Sequence, residues 1–391
     1  MNKFTCPMEV NKSEFSQLLK LVNICFPKDS ISGGMLARWP HCYQKNKLEN
    51  NNIIKKENKI VAHVGCIPQE LIIDNSNIHI AGISGVATDP KYRGHGLMKE
   101  LLRYCITKMK KDKVLFSYLS GDRQRYNYFG WENAGREWVF NITVRSLGSQ
   151  DKQMDLMIRD FRNNKTDIDI VKSIHEQEKY KIKRDNNLYR LLLNRGGNKV
   201  YLISDNKKNW SYLVIKSDDN KVFYITEYGF KFNTDKKDLI QIFSYIFETN
   251  KELEKIVLFS PYRHRMNKMF TEISASWYIS TPWMLKIIDL PTLLKSFSSQ
   301  IKIKTILTRS KGEVTLQIRN TDQEVSMFLD CDSIKICNIR TKNILVLTEL
   351  EMVRLIFGLS APNTVFNLNK KLSFLDNIFP LDFYIWHNDS V

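Results

Sequence analysis

The stretch that most constrains this chain runs from Ile83 to Gly135, ISGVATDPKYRGHGLMKELLRYCITKMKKDKVLFSYLSGDRQRYNYFGWENAG. Its pattern predicts a strand (Ile83 to Thr88), a tight turn (Tyr92 to Gly96) and a helix with apolar residues at Leu97, Leu101, Leu102, Cys105 and Met109. Gly94 and Gly96 carry no side chain, so backbone N–H groups can approach a ligand at the positive end of a helix dipole. A phosphate is the natural occupant. The three-glycine dinucleotide pattern and the Gly-Lys-Ser/Thr nucleotide pattern are both missing here, which removes the two common nucleotide readings. Asp89-Pro90 ends the strand, because proline cannot continue the ladder.

What remains resembles the coenzyme A pyrophosphate loop of the GNAT acetyltransferase superfamily, Arg/Gln-x-x-Gly-x-Gly/Ala. Arg93 and Gly96 fit its first and fourth positions, and Met98 stands where Gly or Ala is usual. Downstream, SGDRQRYNYFGWENAG is similar to the Ser-x-Gly and Tyr-x-x-Phe-Gly-Tyr/Trp signature of the enhanced intracellular survival protein family, with Gly121 directly after Ser120. The resemblance implies acetyl-CoA as cosubstrate, with no metal. Its pyrophosphate falls to Arg93, Gly94, His95, Gly96, Leu97 and Met98. Its pantetheine arm falls to Val86, Ala87 and Thr88, and to Ser120 unless that residue only ends its strand. Tyr126 takes the general-acid position, with Tyr128 its nearest competitor. Trp39 and Tyr43 either wall an acceptor pocket or pack as a surface connector.

The family also uses its terminal carboxylate as a base, which here is that of Val391. The sequence adds its own argument, since FPLDFYIWHNDSV is too aromatic for a loose tail. Asp389 is a rival carboxylate, and a docked end that only seals the third domain is the plainer alternative.

At 391 residues the chain is too long for one ordinary core. The expected fold class is α/β and α+β: tandem GNAT-like mixed sheets with flanking helices, then a small α+β layer resembling a sterol-carrier domain. The expected domains are 1–147, catalytic; 148–288, a degenerate second acetyltransferase-like domain with no Arg-x-x-Gly-x-Gly after Tyr228-Gly229; and 289–391, sterol-carrier-like. In the first domain an amphipathic helix (Glu14 to Phe26) precedes antiparallel strands, Val114 to Ser120 forms a covered strand, and Trp131 to Ser146 returns as a strand pair. In the second, helices are expected over Met154 to Asn163 and Ile170 to Asn187. In the third, 314–320, 324–331 and 333–341 read as strands and 347–358 as a helix stopped by Gly358.

Seven scattered cysteines, with no C-x-x-C pair and no zinc spacing, read as reduced thiols. No apolar run reaches membrane-spanning length and the first residues are too polar for a signal peptide, so the expectation is a cytoplasmic protein without membrane association. The net charge of +17 is spread rather than blocked, and it accompanies heavy Asn and Ile usage, so nucleic acid is not expected as a partner. The leading function is acetyl transfer to a primary amine, on a small molecule such as an amine antibiotic or on a lysine side chain. Polycationic acceptors prefer acidic pockets, which counts against aminoglycosides in so basic a chain. The alternative is a non-catalytic protein that binds coenzyme A or a lipid, and the resemblance allows a homo-oligomer.

Overall fold

The computed structural model describes residues 4–30, 33–74, 76–148, 155–217 and 219–391. Three sheets with flanking helices carry the chain, as the mixed α/β reading expects. The first has eight strands, ordered Met8–Glu9, Asn51–Lys56, Lys59–Ile73, Ser76–Thr88, Phe116–Leu119, Trp283–Ile287 and Glu132–Ala134, with Tyr180–Ile182 paired onto Lys59–Ile73. The second has seven, ordered Ser276–Ser280, Glu137–Ile142, Lys255–Pro261, Val222–Gly229, Trp210–Ser217, Asn198–Ser204 and Met157–Asp160. The third has four, ordered Ser333–Cys337, Glu324–Asp330, Lys311–Ile318 and Ile344–Leu347.

Local pattern sets the elements that matter for the site. The loop helix, Leu97–Lys111, buries all five of its predicted apolar positions against the first sheet. The helix Phe15–Cys25 buries Phe15, Leu18, Leu21 and Val22 on another part of that sheet. Covered on both faces, Phe116–Leu119 is entirely buried. The strand expected from Ile83 to Thr88 is the end of a longer one, Ser76–Thr88, which is bent by a bulge where it pairs with Lys59–Ile73.

Other expectations are corrected. Residues 131–146 do not form a pair: Glu132–Ala134 joins Trp283–Ile287 in the first sheet, while Glu137–Ile142 lies between Lys255–Pro261 and Ser276–Ser280 in the second. The helix expected at 154–163 is a strand over Met157–Asp160, and Met154 lies outside the described residues. There Leu156 is buried and Ile158 packs on the core while Met157 is 64% exposed, an alternation of period two. The stretch 170–187 divides into the end of helix Lys165–His175, strand Tyr180–Ile182 and the start of helix Asn186–Leu193, because the strand is recruited by Leu71–Ile73 of the first sheet. In the third sheet, Ile344–Leu347 is a further strand, parallel to Lys311–Ile318, and the helix starts at Glu349 behind a Thr348–Glu351 capping box.

Past the short helix Leu375–Ile378 the chain forms a buried strap, residues 379–390, with only His387 partly exposed. Trp386 Nε1 donates to Tyr180 O at 2.9 Å and Tyr384 Oη donates to Glu137 at 3.2 Å. The strap thereby ties the first two sheets to the chain's end. Among the described residues no helix is long and apolar enough to cross a membrane.

Candidate active site

Ser76–Thr88 and Phe116–Leu119 run parallel and pair at only three positions, Ile80 with Phe116, Ala81 with Ser117 and Gly82 with Tyr118. Beyond Gly82 the two strands part. The bulge sits just past that point, where Gly85 adopts φ +53°, a left-handed conformation that favours glycine. His63 on the neighbouring strand fixes it, since its Nδ1 donates to Gly85 O at 2.7 Å. Burial lowers the His63 pKa to about 4. Tyr43 is buried beneath the same bulge, its hydroxyl where a Gly85 side chain would lie.

The parted strand leads through Asp89, whose carboxylate accepts from Lys91 N at 3.0 Å, into the glycine loop. Gly94 (φ +83°) and Gly96 (φ +75°) are both left-handed, and a Cβ at either would meet nothing within 4 Å. The glycines therefore serve backbone conformation and leave open space above. Gly96 is the N-cap of the loop helix and no side chain caps it, so the helix opens on bare amides. A cavity of about 430 Å³ stands there, and Val86–Thr88 and Arg93–Met98 all line it. Cys25, Phe26, Tyr92 and Arg125 complete the lining, and sequence reasoning missed these four. The Cys25 thiol donates to Thr88 O at 3.5 Å, and its pKa is raised chiefly by burial. Open amides, two arginines and a strand edge without ladder partners suit a pyrophosphate and an amide-bearing arm, so these residues fit acetyl-CoA.

Tyr126 lies on the short helix Arg123–Asn127, 7% exposed, with its ring edge against Gly121, where a side chain would collide with it. Burial raises the pKa of its hydroxyl, which therefore stays protonated at neutral pH. Tyr128, by contrast, is 66% exposed and accepts a hydrogen bond from Lys99 Nζ at 2.7 Å. The two tyrosines thus occupy opposite environments two residues apart.

A second cavity, of about 330 Å³, lies where the strap ends. Trp39, Ser120 and Val391 line it, whereas Tyr43 does not, and Ser120 borders this cavity rather than the loop cavity. Arg195, Asn198, Lys216, Phe259, Trp283 and His387 also line it. They come from distant strands and the strap, and no motif announced them. Val391 packs where Gly82 lacks a side chain, beside the Tyr118 ring. The last residue of the chain therefore sits at the point where the two parallel strands part.

A buried network holds it there. Arg184 bonds both Glu227 and Asp389, all three side chains having no exposure. Tyr212 Oη donates to Glu227 at 2.8 Å, and Asn388 Nδ2 donates to it at 3.1 Å. Burial raises the Asp389 pKa to about 6, while the Arg184 guanidinium holds Glu227 low against its own burial. Gln69 donates to Asp389 O at 3.0 Å and His41 to Ser390 O at 2.9 Å. His387 Nε2 lies 2.8 Å from Glu137 Oε2, and its ring stands 4.2 Å from that of Phe259. Among the described residues no group of His, Cys, Asp and Glu could hold a metal ion.

Residues 7–134 match the family model of the acetyltransferase (GNAT) domain. No curated protein matches the sequence. Solved structures match the whole fold at low identity. A conserved protein of unknown function from Enterococcus faecalis is 16% identical with a TM-score of 0.72, covering 96% of each chain. A GCN5-related N-acetyltransferase from Anabaena variabilis is 18% identical with a TM-score of 0.70, covering 98% of this chain and 99% of that one. Eis1 from Mycobacterium abscessus is 9% identical with a TM-score of 0.67 over 100% of both chains. The chain therefore carries an acetyltransferase (GNAT) domain at residues 7–134, within a fold that it shares along its length with N-acetyltransferase structures.

Proposed function

We propose that the chain is an acetyl-CoA-dependent N-acetyltransferase that moves acetyl directly to a primary amine, with 1–147 as catalytic domain, 148–288 as supporting domain and 289–391 as a sterol-carrier-like closure. The observation that carries this reading is the pair of cavities, one floored by the uncapped Gly96 helix start and the other holding the chain's terminus. Bound acetyl-CoA supplies the thioester. The loop amides, Arg93 and Arg125 bind its phosphates, and the edge of Val86–Thr88 turned away from Lys59–Ile73 aligns its arm. Tyr126 holds a proton at its hydroxyl for the departing thiolate, and its raised pKa suits an acid rather than a base. The carboxylate of Val391 takes the proton of the amine. An α-carboxyl of pKa about 3.5 is a weak base, and the cations Arg195 and Lys216 in the same wall favour the neutral form of an amine held beside them.

One observation favours a second base, since His387 lines the same cavity with Glu137 behind it. Appending a short Gly-Ser tail separates the two, because it moves the carboxylate while sparing every side chain. With Val391 as the base, turnover collapses in the extended protein, measured as thiol release on a folded, monodisperse sample. Full turnover in that protein, with loss in His387→Gln, assigns the role to His387. An amine library incubated with acetyl-CoA and read by mass spectrometry tests the transferase reading itself: acetylated product separates an enzyme from a protein that only binds coenzyme A or a lipid.

A further inference from the structure

The cavity at the end of the strap has an uneven charge. Arg195 and Lys216 line it, and none of its lining residues is Asp or Glu, so its anion is the terminal carboxylate of Val391. Arg195 is only 5% exposed. Its Nε donates to Arg38 O and its Nη1 to Asn388 O, both at 3.0 Å, and its guanidinium lies 4.1 Å from the centroid of the Trp39 ring. These partners are neutral, and Arg195 belongs to no ion pair among the described residues. A guanidinium is rarely buried without a carboxylate, and burial lowers this one to about 10, still charged at neutral pH.

The nearby acids are committed elsewhere. Asp389 and Glu227 bond Arg184, and Glu137 bonds His387 and Tyr384. The rest of the wall sets the rings of Trp39, Tyr224, Phe259, Trp283 and His387 among the neutral polar residues Ser120, Asn198, Thr226, Asn388 and Ser390. Tyr224 and Phe259 lie nearly parallel, 6.4 Å between centroids, and the Trp283 ring stands 5.2 Å from that of His387. The volume of about 330 Å³ falls at the lower end of the range of about 300–1,000 Å³ usual for ligand pockets.

Building on the transferase reading, we infer that the acceptor is a small primary amine that also carries a carboxylate, an amino acid with an aromatic or flat apolar body, whose acid group is bound by Arg195 and Lys216. The amine lies toward the Val391 carboxylate. Arg195 offers a planar fork that matches a carboxylate, and binding the acid gives it the ion-pair partner that it lacks among the described residues. A polyamine or aminoglycoside brings several further cations to a wall that already holds two, so the same charges disfavour it.

The test compares 4-(aminomethyl)benzoate with 4-(aminomethyl)benzamide and with spermidine, by kcat/KM for thiol release and by calorimetry without acetyl-CoA. The benzoate is expected to exceed both by about tenfold or more, the scale of one charge-assisted hydrogen bond left unmade. Arg195→Gln and Lys216→Gln are each expected to narrow the ratio of benzoate to benzamide kcat/KM toward one. Because Arg195 also ties Arg38 and Asn388, the half-buried Lys216→Gln keeps the test open if Arg195→Gln misfolds. Equal values for acid and amide, or a preference for spermidine, overturn the inference and leave a working transferase. Acetyl-CoA that fails to bind the wild-type protein overturns the transferase reading along with it.

Discussion

The first two sheets repeat one plan and end differently. In each, an antiparallel strand carries a bulge, leads through a loop into a helix and is followed by a parallel partner: Ser76–Thr88, Leu97–Lys111 and Phe116–Leu119 in one, Val222–Gly229, Lys236–Thr249 and Lys255–Pro261 in the other. The bulges fall at matching places, at Gly85–Val86 and at Thr226. The first helix opens on Gly96 with no side-chain cap. The second opens on Asp235, whose carboxylate accepts from Asp238 N at 2.8 Å, with Asp238 following in the first turn. Carboxylates thus occupy in the second sheet the helix end that the first leaves uncapped. The strands also part differently. Past the last paired residues of the second sheet, Ile225 and Leu258, the strap fills the space, with Asn388 on Glu227, Trp386 on Tyr228 and His387 on Phe259. One sheet leaves its cleft open, and the other uses its cleft to hold the tail that reaches the first.

The largest effect is expected from breaking that hold. Arg184→Met leaves Glu227 and Asp389 buried without their cation, a loss on the order of 3–5 kcal/mol. Urea unfolding measures the loss. If the second sheet serves the first through the tail, kcat falls further than the unfolded fraction explains, while acetyl-CoA affinity in the folded fraction is unchanged. A kcat that follows the folded fraction alone breaks that link.

Next in size is Tyr126, on the short helix that follows Phe116–Leu119. Tyr126→Phe is expected to lower kcat about a hundredfold or more, the usual scale for a positioned acid, with acetyl-CoA affinity nearly constant. Tyr128→Phe, at an exposed site bonded to Lys99, is expected to stay close to wild type. The opposite pattern in stopped-time assays assigns the proton to Tyr128.

The bulge clamp sharpens the comparison through pH. Folded His63 has a pKa of about 4 against 6.5 for the free side chain, so the folded state binds fewer protons between these values. Its contribution to stability is whole above pH 6.5 and is lost as pH falls toward 4. His41 behaves likewise with a folded value of about 3, and His175 is also lowered, chiefly by burial. Asp389 works in the other direction, its folded pKa of about 6 lying above the ordinary 3.8, so acidification relieves a penalty there. Three histidines against one carboxyl give a net loss in acid. His63→Gln removes one proton site and is expected to reduce the drop in stability between pH 7.5 and 5 by roughly 2 kcal/mol, read by urea titration at both values. An unchanged drop means that His63 is not buried neutral.

Much of this contrast was legible in sequence, but only where the signal is local. Helical spacing from Leu97 to Met109, turn glycines at 94 and 96 and the proline after Asp89 act within a few residues, and the structure puts each where that spacing predicts. The aromatic tail announced its own burial. What failed was long-range assignment. Gly135, between two short strands, sends Glu132–Ala134 and Glu137–Ile142 to different sheets, and nothing in the intervening residues says so. The same holds for the strap cavity, where Arg195, Phe259 and Trp283 come from separate strands or loops and meet only after folding. An arginine beside a run of leucines, LLLNRGG, looks like a helix end, and only its burial against Trp39 gives it a role.

The smallest effects come from exchanging the two helix starts, and they probe the contrast most directly. Gly96→Asp copies the second sheet into the first. Its Cβ meets no neighbour, and aspartate tolerates a left-handed φ better than most residues, so the fold should persist. A carboxylate at the amides proposed to hold the phosphates is expected to weaken acetyl-CoA binding about tenfold or more, and equal affinity by calorimetry removes the loop from the site. The reverse change, Asp235→Ala, removes a cap and is expected to cost about 1 kcal/mol. It should create no second acetyl-CoA site. Asp238 still stands in the first turn, paired with Lys231 at 3.2 Å, the loop residues before it include no glycine, and the strap still fills the space between the parted strands. A stoichiometry of one acetyl-CoA per chain in Asp235→Ala is the expected result. Two per chain would mean that the cap alone distinguishes the sheets, and that the tail's place in the second cleft is incidental to what that sheet lost.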